Sequence, residues 1–165
     1  MSPSKGSLRL PLVYNTGGYD SLEALALLDG IIDIYMLDMK YGDSQTARSY
    51  SKVRNYVEID QAAVKEMHRQ VGDLVLDEKG LARRGVLVRH LVLPENLAGT
   101  NKVLNFIAHE ISRDTYLNLM DQYRPCYRAD EYPPLNRPIT AEEYRGAVAL
   151  AKDYGLHRFD RGWNV

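Results

Sequence analysis

The chain has 165 residues, 26% charged and 45% hydrophobic, with a formal net charge of −1 at pH 7. That length bounds it to one domain with a substantial core, and the near-neutral balance offers no electrostatic footprint for nucleic acid. No apolar run approaches the ~20 residues of a transmembrane helix and no signal-peptide stretch stands at the start, so a cytoplasmic protein without membrane or nucleic-acid partners is expected.

Leu10 to Asn15 is an apolar run that breaks at Thr16-Gly17-Gly18, which reads as a buried strand entering a tight turn. Asp20 and Glu23 have the spacing of a capping box and predict a helix from Ser21 to Leu28 that stops at Gly30. Ile31 to Asp38 is too apolar to face water on either side and predicts a second buried strand. Asp43 or Ser44 caps a polar helix to about Arg54. Asp60 opens a helix whose Val64, Met67 and Val71 share a stripe, closed by Gly72. Leu74 to Asp77 and the run from Leu81 flank Glu78-Lys79-Gly80, a hairpin turn. Val86 to Leu93 is the strongest strand signal and ends at Pro94. Thr100 caps a helix bearing Val103, Leu104, Ile107 and Ile111, and Tyr116 to Tyr123 reads as the next strand. Thr140 and Glu143 form another capping box ahead of Tyr144, Ala147, Val148 and Ala151; Gly155 ends that helix and His157 to Phe159 is a last short strand.

This alternation predicts an α/β fold with mainly parallel strands and one small hairpin. A Rossmann-type open sheet and part of a (β/α) barrel both satisfy it. One domain over residues 1–165 is expected, with 1–8 as a disordered tail and 158–165 as a C-terminal tail.

Polar residues gather where strands end, the rim at which barrels and open sheets bind ligands. Asp38 and Lys40 are two apart and share a strand face, so they can present both signs to a zwitterion; an ion pair closing the mouth of the sheet is the plainer alternative. Asn15-Thr16-Gly17-Gly18 sits at a strand-to-helix turn but is neither a GxGxxG nor a P-loop. Arg89, in mid-strand, needs a carboxylate such as Asp38 or Asp121, whereas His90 faces the other way and reads as a core histidine. His68, His109 and His157 lack metal-ligand spacing. Cys126 is the single cysteine, which excludes an intrachain disulfide and the three thiolates of an iron–sulfur cluster within one chain. No catalytic residue and no metal ligand is assigned.

Five segments carry a family resemblance. They are Leu10-Pro11-Leu12-Val13-Tyr14-Asn15-Thr16-Gly17-Gly18-Tyr19-Asp20, Asp33-Ile34-Tyr35-Met36-Leu37-Asp38-Met39-Lys40-Tyr41, Met67-His68-Arg69-Gln70-Val71-Gly72, Val88-Arg89-His90-Leu91-Val92-Leu93-Pro94-Glu95-Asn96 and Asn118-Leu119-Met120-Asp121-Gln122-Tyr123-Arg124-Pro125. From about Leu8 to His157 the chain resembles the radical S-adenosylmethionine (SAM) superfamily, in its branch of iron–sulfur proteins like pyruvate-formate-lyase activating enzyme. The resemblance implies the C-terminal part of an open six-strand (β/α) partial TIM barrel without the CxxxCxxC segment that holds a [4Fe–4S] cluster. In that family SAM is cleaved reductively to a 5′-deoxyadenosyl radical, which abstracts a hydrogen, in activating enzymes from a glycine of a partner protein. Carried over by position, Asn15 and Thr16 match an Asp-Thr pair that contacts SAM, Asp38 and Lys40 match an Asp-x-Lys pair, and Leu91 matches an apolar residue beside the adenine. Tyr123 stands where activating enzymes have a histidine; it can stack but supplies no cation.

The resemblance implies SAM and [4Fe–4S] as cofactors of the full-length family, with none expected tightly bound to this chain alone. It also implies a glycyl-radical-type protein substrate or a missing N-terminal half as partner. An unpaired sheet edge at Leu10 to Asn15 is expected to favour self-association. Two other readings compete. One is a cluster-free barrel module that binds a partner or ligand without catalysis. The other is an aldolase-like fragment with Lys40 as a Schiff-base amine, disfavoured because Asp38 beside it favours the ammonium.

Overall fold

Strands and helices alternate as the sequence pattern indicates, in the computed structural model, which describes residues 10–160. The elements are β1 (Val13–Thr16), α1 (Leu22–Leu28), β2 (Ile34–Asp38), α2 (Ser44–Ser51), α3 (Tyr56–Val71), β3 (Val75–Leu76), β4 (Ala82–Leu91), α4 (Thr100–Phe106), β5 (Tyr116–Met120) and α5 (Ala141–Asp153). A π turn, Ile107–Ile111, extends α4. The expected tail at 1–8 lies outside the described residues, as do 161–165. Arg158 and Phe159 are described and meet the sheet: the Leu117 N–H donates to Arg158 O at 2.9 Å, and Phe159 pairs in parallel with Leu117.

β1, β2, β4 and β5 lie side by side and parallel, with Val13 opposite Ile34, Ile34 opposite Gly85 and Leu87 opposite Tyr116. β3 is the short antiparallel arm of the expected hairpin and pairs with the start of β4. Strand parity then sorts the side chains. Tyr35, Leu37, Val88 and Leu117 point to one face and are fully buried. They form the core with Leu25 of α1, Val64 and Met67 of α3, Leu104 of α4 and Ala151 of α5. On the opposite face Met36, Asp38, Leu87, Arg89, Asn118 and Met120 are all only partly buried. Among the described residues, helices thus cover one face only. That is the arrangement of a partial TIM-type barrel and not of a doubly wound sheet, and it resolves the alternative that periodicity left open. Among the described residues, no helix is long and apolar enough to cross a membrane.

Three expected helix starts differ. Ser21, not Asp20, caps α1, accepting from Ala24 N–H. Asp20 instead receives the Tyr14 and Thr16 hydroxyls of β1. α3 begins at Tyr56, which leaves Asp60 inside the helix on its buried stripe. Gly99 caps α4, while Thr100 is buried within it. The Thr140–Glu143 capping box forms as expected.

His90 is fully buried on the helix-covered face. Its Nδ1 contacts Met39 O at 2.6 Å and its Nε2 contacts Thr100 Oγ1 at 2.9 Å. A carbonyl only accepts, so Nδ1 carries the proton and Nε2 of the neutral ring accepts from the Thr100 hydroxyl. Burial lowers the His90 pKa from 6.5 to about 4. The unfolded chain therefore takes up this proton first, and stability falls as pH drops from about 6.5 towards 4. From pH 7 to pH 5.5 this linkage should remove about 1 kcal/mol. Urea titrations at the two pH values should show that loss, and His90→Gln should remove it.

Candidate functional site

The C-terminal ends of β1, β2 and β4 bring three polar side chains together on the open face. Parallel pairing puts Asn15 of β1 and Asp38 of β2 within reach of Arg89, which is directly opposite Asp38 in β4. The Arg89 guanidinium grips Asp38 Oδ1 at 2.7 Å and donates to Asn15 Oδ1 at 3.0 Å. It thus ties three strands at one point, and its planar fork suits that task better than an ammonium would. Lys40 follows β2, its Nζ 3.9 Å from Asp38 Oδ2 and its side chain 50% exposed. That exposure denies Lys40 the desolvation expected of a Schiff-base amine.

Asp38 and Lys40 also border a cavity of about 250 Å³ with Tyr41, Leu91, Met120 and Tyr123. The floor is apolar and one wall carries both charges. Tyr123 donates its hydroxyl to Leu135 O at 2.7 Å, which fastens the loop after β5 over the cavity. Thr16 does not reach this cluster. Its hydroxyl lies on the other side of β1, donates to Asp20 at 2.6 Å and accepts from Gly18 N–H at 3.2 Å. A larger hollow of about 540 Å³ lies at the end of β5 beside the start of α5, lined by Asp121, Gln122, Thr140 and Arg145. It holds none of the expected site residues, so the smaller cavity is the better candidate despite its size.

Behind the rim stands a second layer. Tyr56, the first residue of α3, accepts from Lys40 N–H at 2.9 Å and donates to Asp38 O at 3.1 Å. Burial first, and then the nearby Asp60 carboxylate, push the Tyr56 phenol well above its ordinary pKa. Asp60 is fully buried with neither carboxylate oxygen hydrogen-bonded. Burial drives its pKa well above the ordinary carboxylate range, against the pull of Tyr56 and Lys40. Tyr56 is near enough to influence the Asp60 carboxyl, but its hydroxyl is spent on the backbone and leaves the Asp60 oxygens without a hydrogen bond. Neither residue was marked as functional by sequence. The signal for Asp60 was a charge on the apolar stripe Ala63, Val64, Met67 and Val71.

Cys126 is exposed, and no group of three or more His, Cys, Asp or Glu among the described residues is placed to hold a metal. The residues present therefore do not fit an iron–sulfur cluster.

The chain is similar to known proteins in sequence and in fold. An uncharacterized protein of Methanocaldococcus jannaschii is 38% identical over 148 residues, which is 89% of this chain; the chain spans 39% of that relative's length. The crystal structure of a domain of pyruvate-formate lyase-activating enzyme from Bacteroides vulgatus superposes with a TM-score of 0.62 at 13% identity, over 90% of this chain and 78% of that one. This likeness establishes the fold: a mainly parallel α/β sheet of the same partial-barrel kind. No family model matches the chain.

Gly18 is the tightest point of the rim. Its φ is +84°, and a Cβ there would lie 2.2 Å from Asp60 Oδ1 and 2.5 Å from the backbone oxygen of Asp38. Left-handed backbone costs an L-residue about 1–2 kcal/mol before any clash, and the Asp38 carbonyl has no room to yield. Gly18→Ala should lower stability by more than about 2 kcal/mol, measurable by urea denaturation, whereas Gly30→Ala, with open space at its Cβ, should cost less.

Proposed function

We propose that this chain forms the SAM-binding side of a radical-SAM-type barrel, with the nucleoside in the cavity bordered by Asp38 and Lys40. The observation that carries the reading is the meeting of Asn15, Asp38 and Arg89 at one strand-end rim, with Lys40 next to them. An apolar floor at Leu91 and Met120 beside Tyr123 suits a flat heterocycle, and the Asp38–Lys40 wall suits ribose hydroxyls or a zwitterion. At about 250 Å³ the cavity lies just below the roughly 300–1,000 Å³ of ligand pockets, so it accommodates part of SAM. When bound and reduced, SAM supplies an adenosyl radical in the family the sequence resembles. In this chain Asp38 would accept hydroxyl protons, Lys40 would face an anionic group, Leu91 and Tyr123 would flank the base, and Asn15 and Arg89 would hold Asp38 in place. Thr16 acts in this reading through the turn, by ordering Gly18. The cluster, and any glycyl-radical-type substrate, belong to residues or partners beyond this chain.

Asp38→Ala and Lys40→Ala should each weaken SAM binding about tenfold or more, since a hydrogen bond to a charged group is worth about 1.5–3 kcal/mol. Calorimetry of variants with unchanged circular dichroism provides the test; unaltered affinity in both rejects the site. A cluster-free module that binds a partner or ligand without catalysis is the second reading, and the single cysteine of the chain favours it.

The outer edge of β1 supports a further proposal about partners. β1 pairs only with β2 among the described residues, and Val13 on it and Leu10 and Leu12 just before it are exposed. We propose that another strand pairs there, from additional protein sequence or from a second copy. Light scattering across a wide concentration range should reveal self-association of the chain; a strict monomer would restrict the edge to the first occupant.

A further inference from the structure

We infer that Tyr56 is the positioning residue of the rim, its hydroxyl fixing the main chain between Asp38 and Lys40 and thereby setting where the Lys40 ammonium stands. The inference deepens the adenosyl-site reading, and its ligand-binding test rests on that reading.

The geometry is specific to the hydroxyl. Tyr56 Oη accepts from Lys40 N–H at 2.9 Å and donates to Asp38 O at 3.1 Å, with Gly17 O at 3.4 Å as a second acceptor. One phenolic proton serves one acceptor at a time, so the hydroxyl sits at the junction of the β1 turn and the end of β2. The ring is held independently. It stacks on Tyr19 with centroids 6.1 Å apart and meets the edge of Tyr41 at 5.6 Å. Tyr41 lines the rim cavity and Tyr19 is exposed, so the ring is held between a residue of the ligand side and one of the surface. One helical turn further along α3, Asp60 packs beneath Gly18. Lys40 leans over the same turn: a Cβ on Gly17 would lie 3.3 Å from its Nζ. Tyr56 and Asp60 therefore brace two chain segments of the rim, the end of β2 from which Asp38 and Lys40 project and the Gly17-Gly18 turn beside it. Tyr56 touches neither charged group directly; it acts through their backbone.

Tyr56→Phe keeps the ring contacts and removes only the hydroxyl. In the ligand-free protein, hydrogen exchange at the Lys40 amide should accelerate about tenfold, while amides of the β4–β5 ladder stay protected. Unchanged Lys40 exchange, or equal acceleration throughout the ladder, overturns the local role. With ligand, Tyr56→Phe should weaken SAM binding about threefold to tenfold by calorimetry. In a Lys40→Ala background it should cause no further loss, because its effect passes through Lys40. Equal losses in both backgrounds overturn the positioning role. If the unaltered protein fails to bind SAM, the adenosyl-site reading fails, and the exchange measurement alone decides for or against Tyr56.

Discussion

A parallel sheet covered by helices on one face must do something with the other, and the remaining features follow from that asymmetry. Strand parity sends Tyr35, Leu37, Val88, His90 and Leu117 into a sealed core. The same parity leaves Met36, Asp38, Leu87, Arg89, Asn118 and Met120 half-buried on the uncovered side. A mid-strand arginine in a sheet covered on both faces would be an uncompensated charge. Here Arg89 has open space along which to extend, and it reaches the adjacent β2 and, beyond it, β1. The rim cluster is therefore a direct product of the uncovered face.

The buried layer behind the rim carries a cost that the core does not require. Asp60 occupies a position on α3 that the stripe reserves for an apolar side chain, and it has no hydrogen-bond partner. Its pKa is raised in the folded protein, so the unfolded chain ionises it first. Stability consequently falls as pH rises from about 4 through the folded value, the opposite sign to His90. Steric demand offers one physical reason for the residue. Its carboxylate lies against the Cα of Gly18, where a bulkier branched side chain would displace the turn. A small, planar group fits beneath a glycine that has no Cβ to spare.

Much of this was legible in the sequence. Element order, the Glu78-Lys79-Gly80 hairpin, the Thr140–Glu143 box and the shared strand end of Asp38 and Lys40 depend on local pattern, and local pattern sufficed. Arg89 was expected to meet Asp38 or Asp121 because a mid-strand charge needs a partner; only three-dimensional register selected Asp38 and added Asn15. What stayed hidden was long-range. Asp20 has the right spacing from Glu23 to cap a helix, but β1 offers it two hydroxyls that the spacing rule does not see. Thr100 looks like a cap, yet its hydroxyl serves His90 from the adjoining strand while Asn96 takes the Thr100 N–H. Barrel and open sheet were indistinguishable because Met36, Leu87 and Leu91 on the uncovered face are as apolar as residues that helices would bury.

The tripeptide Asp38-Met39-Lys40 shows how these layers combine. The Asp38 carbonyl accepts from Tyr56, the Met39 N–H donates to Arg89 O at 2.9 Å, the Met39 carbonyl accepts from His90, and the Lys40 N–H donates to Tyr56. Four consecutive main-chain groups are thus satisfied by two elements: β4, through Arg89 O and the core His90, and the first turn of α3. The Met39 side chain is buried, while that of Lys40 projects into solvent and that of Asp38 stays partly accessible. With these four main-chain groups fixed and two opposite charges left at the surface, little backbone entropy would remain to be lost on binding of a ligand at those charges. An ion pair serving only to close the mouth of the sheet would not need that degree of support, because an exposed pair contributes little to stability whatever its backing. Support of that degree accords with the recognition at the rim proposed above.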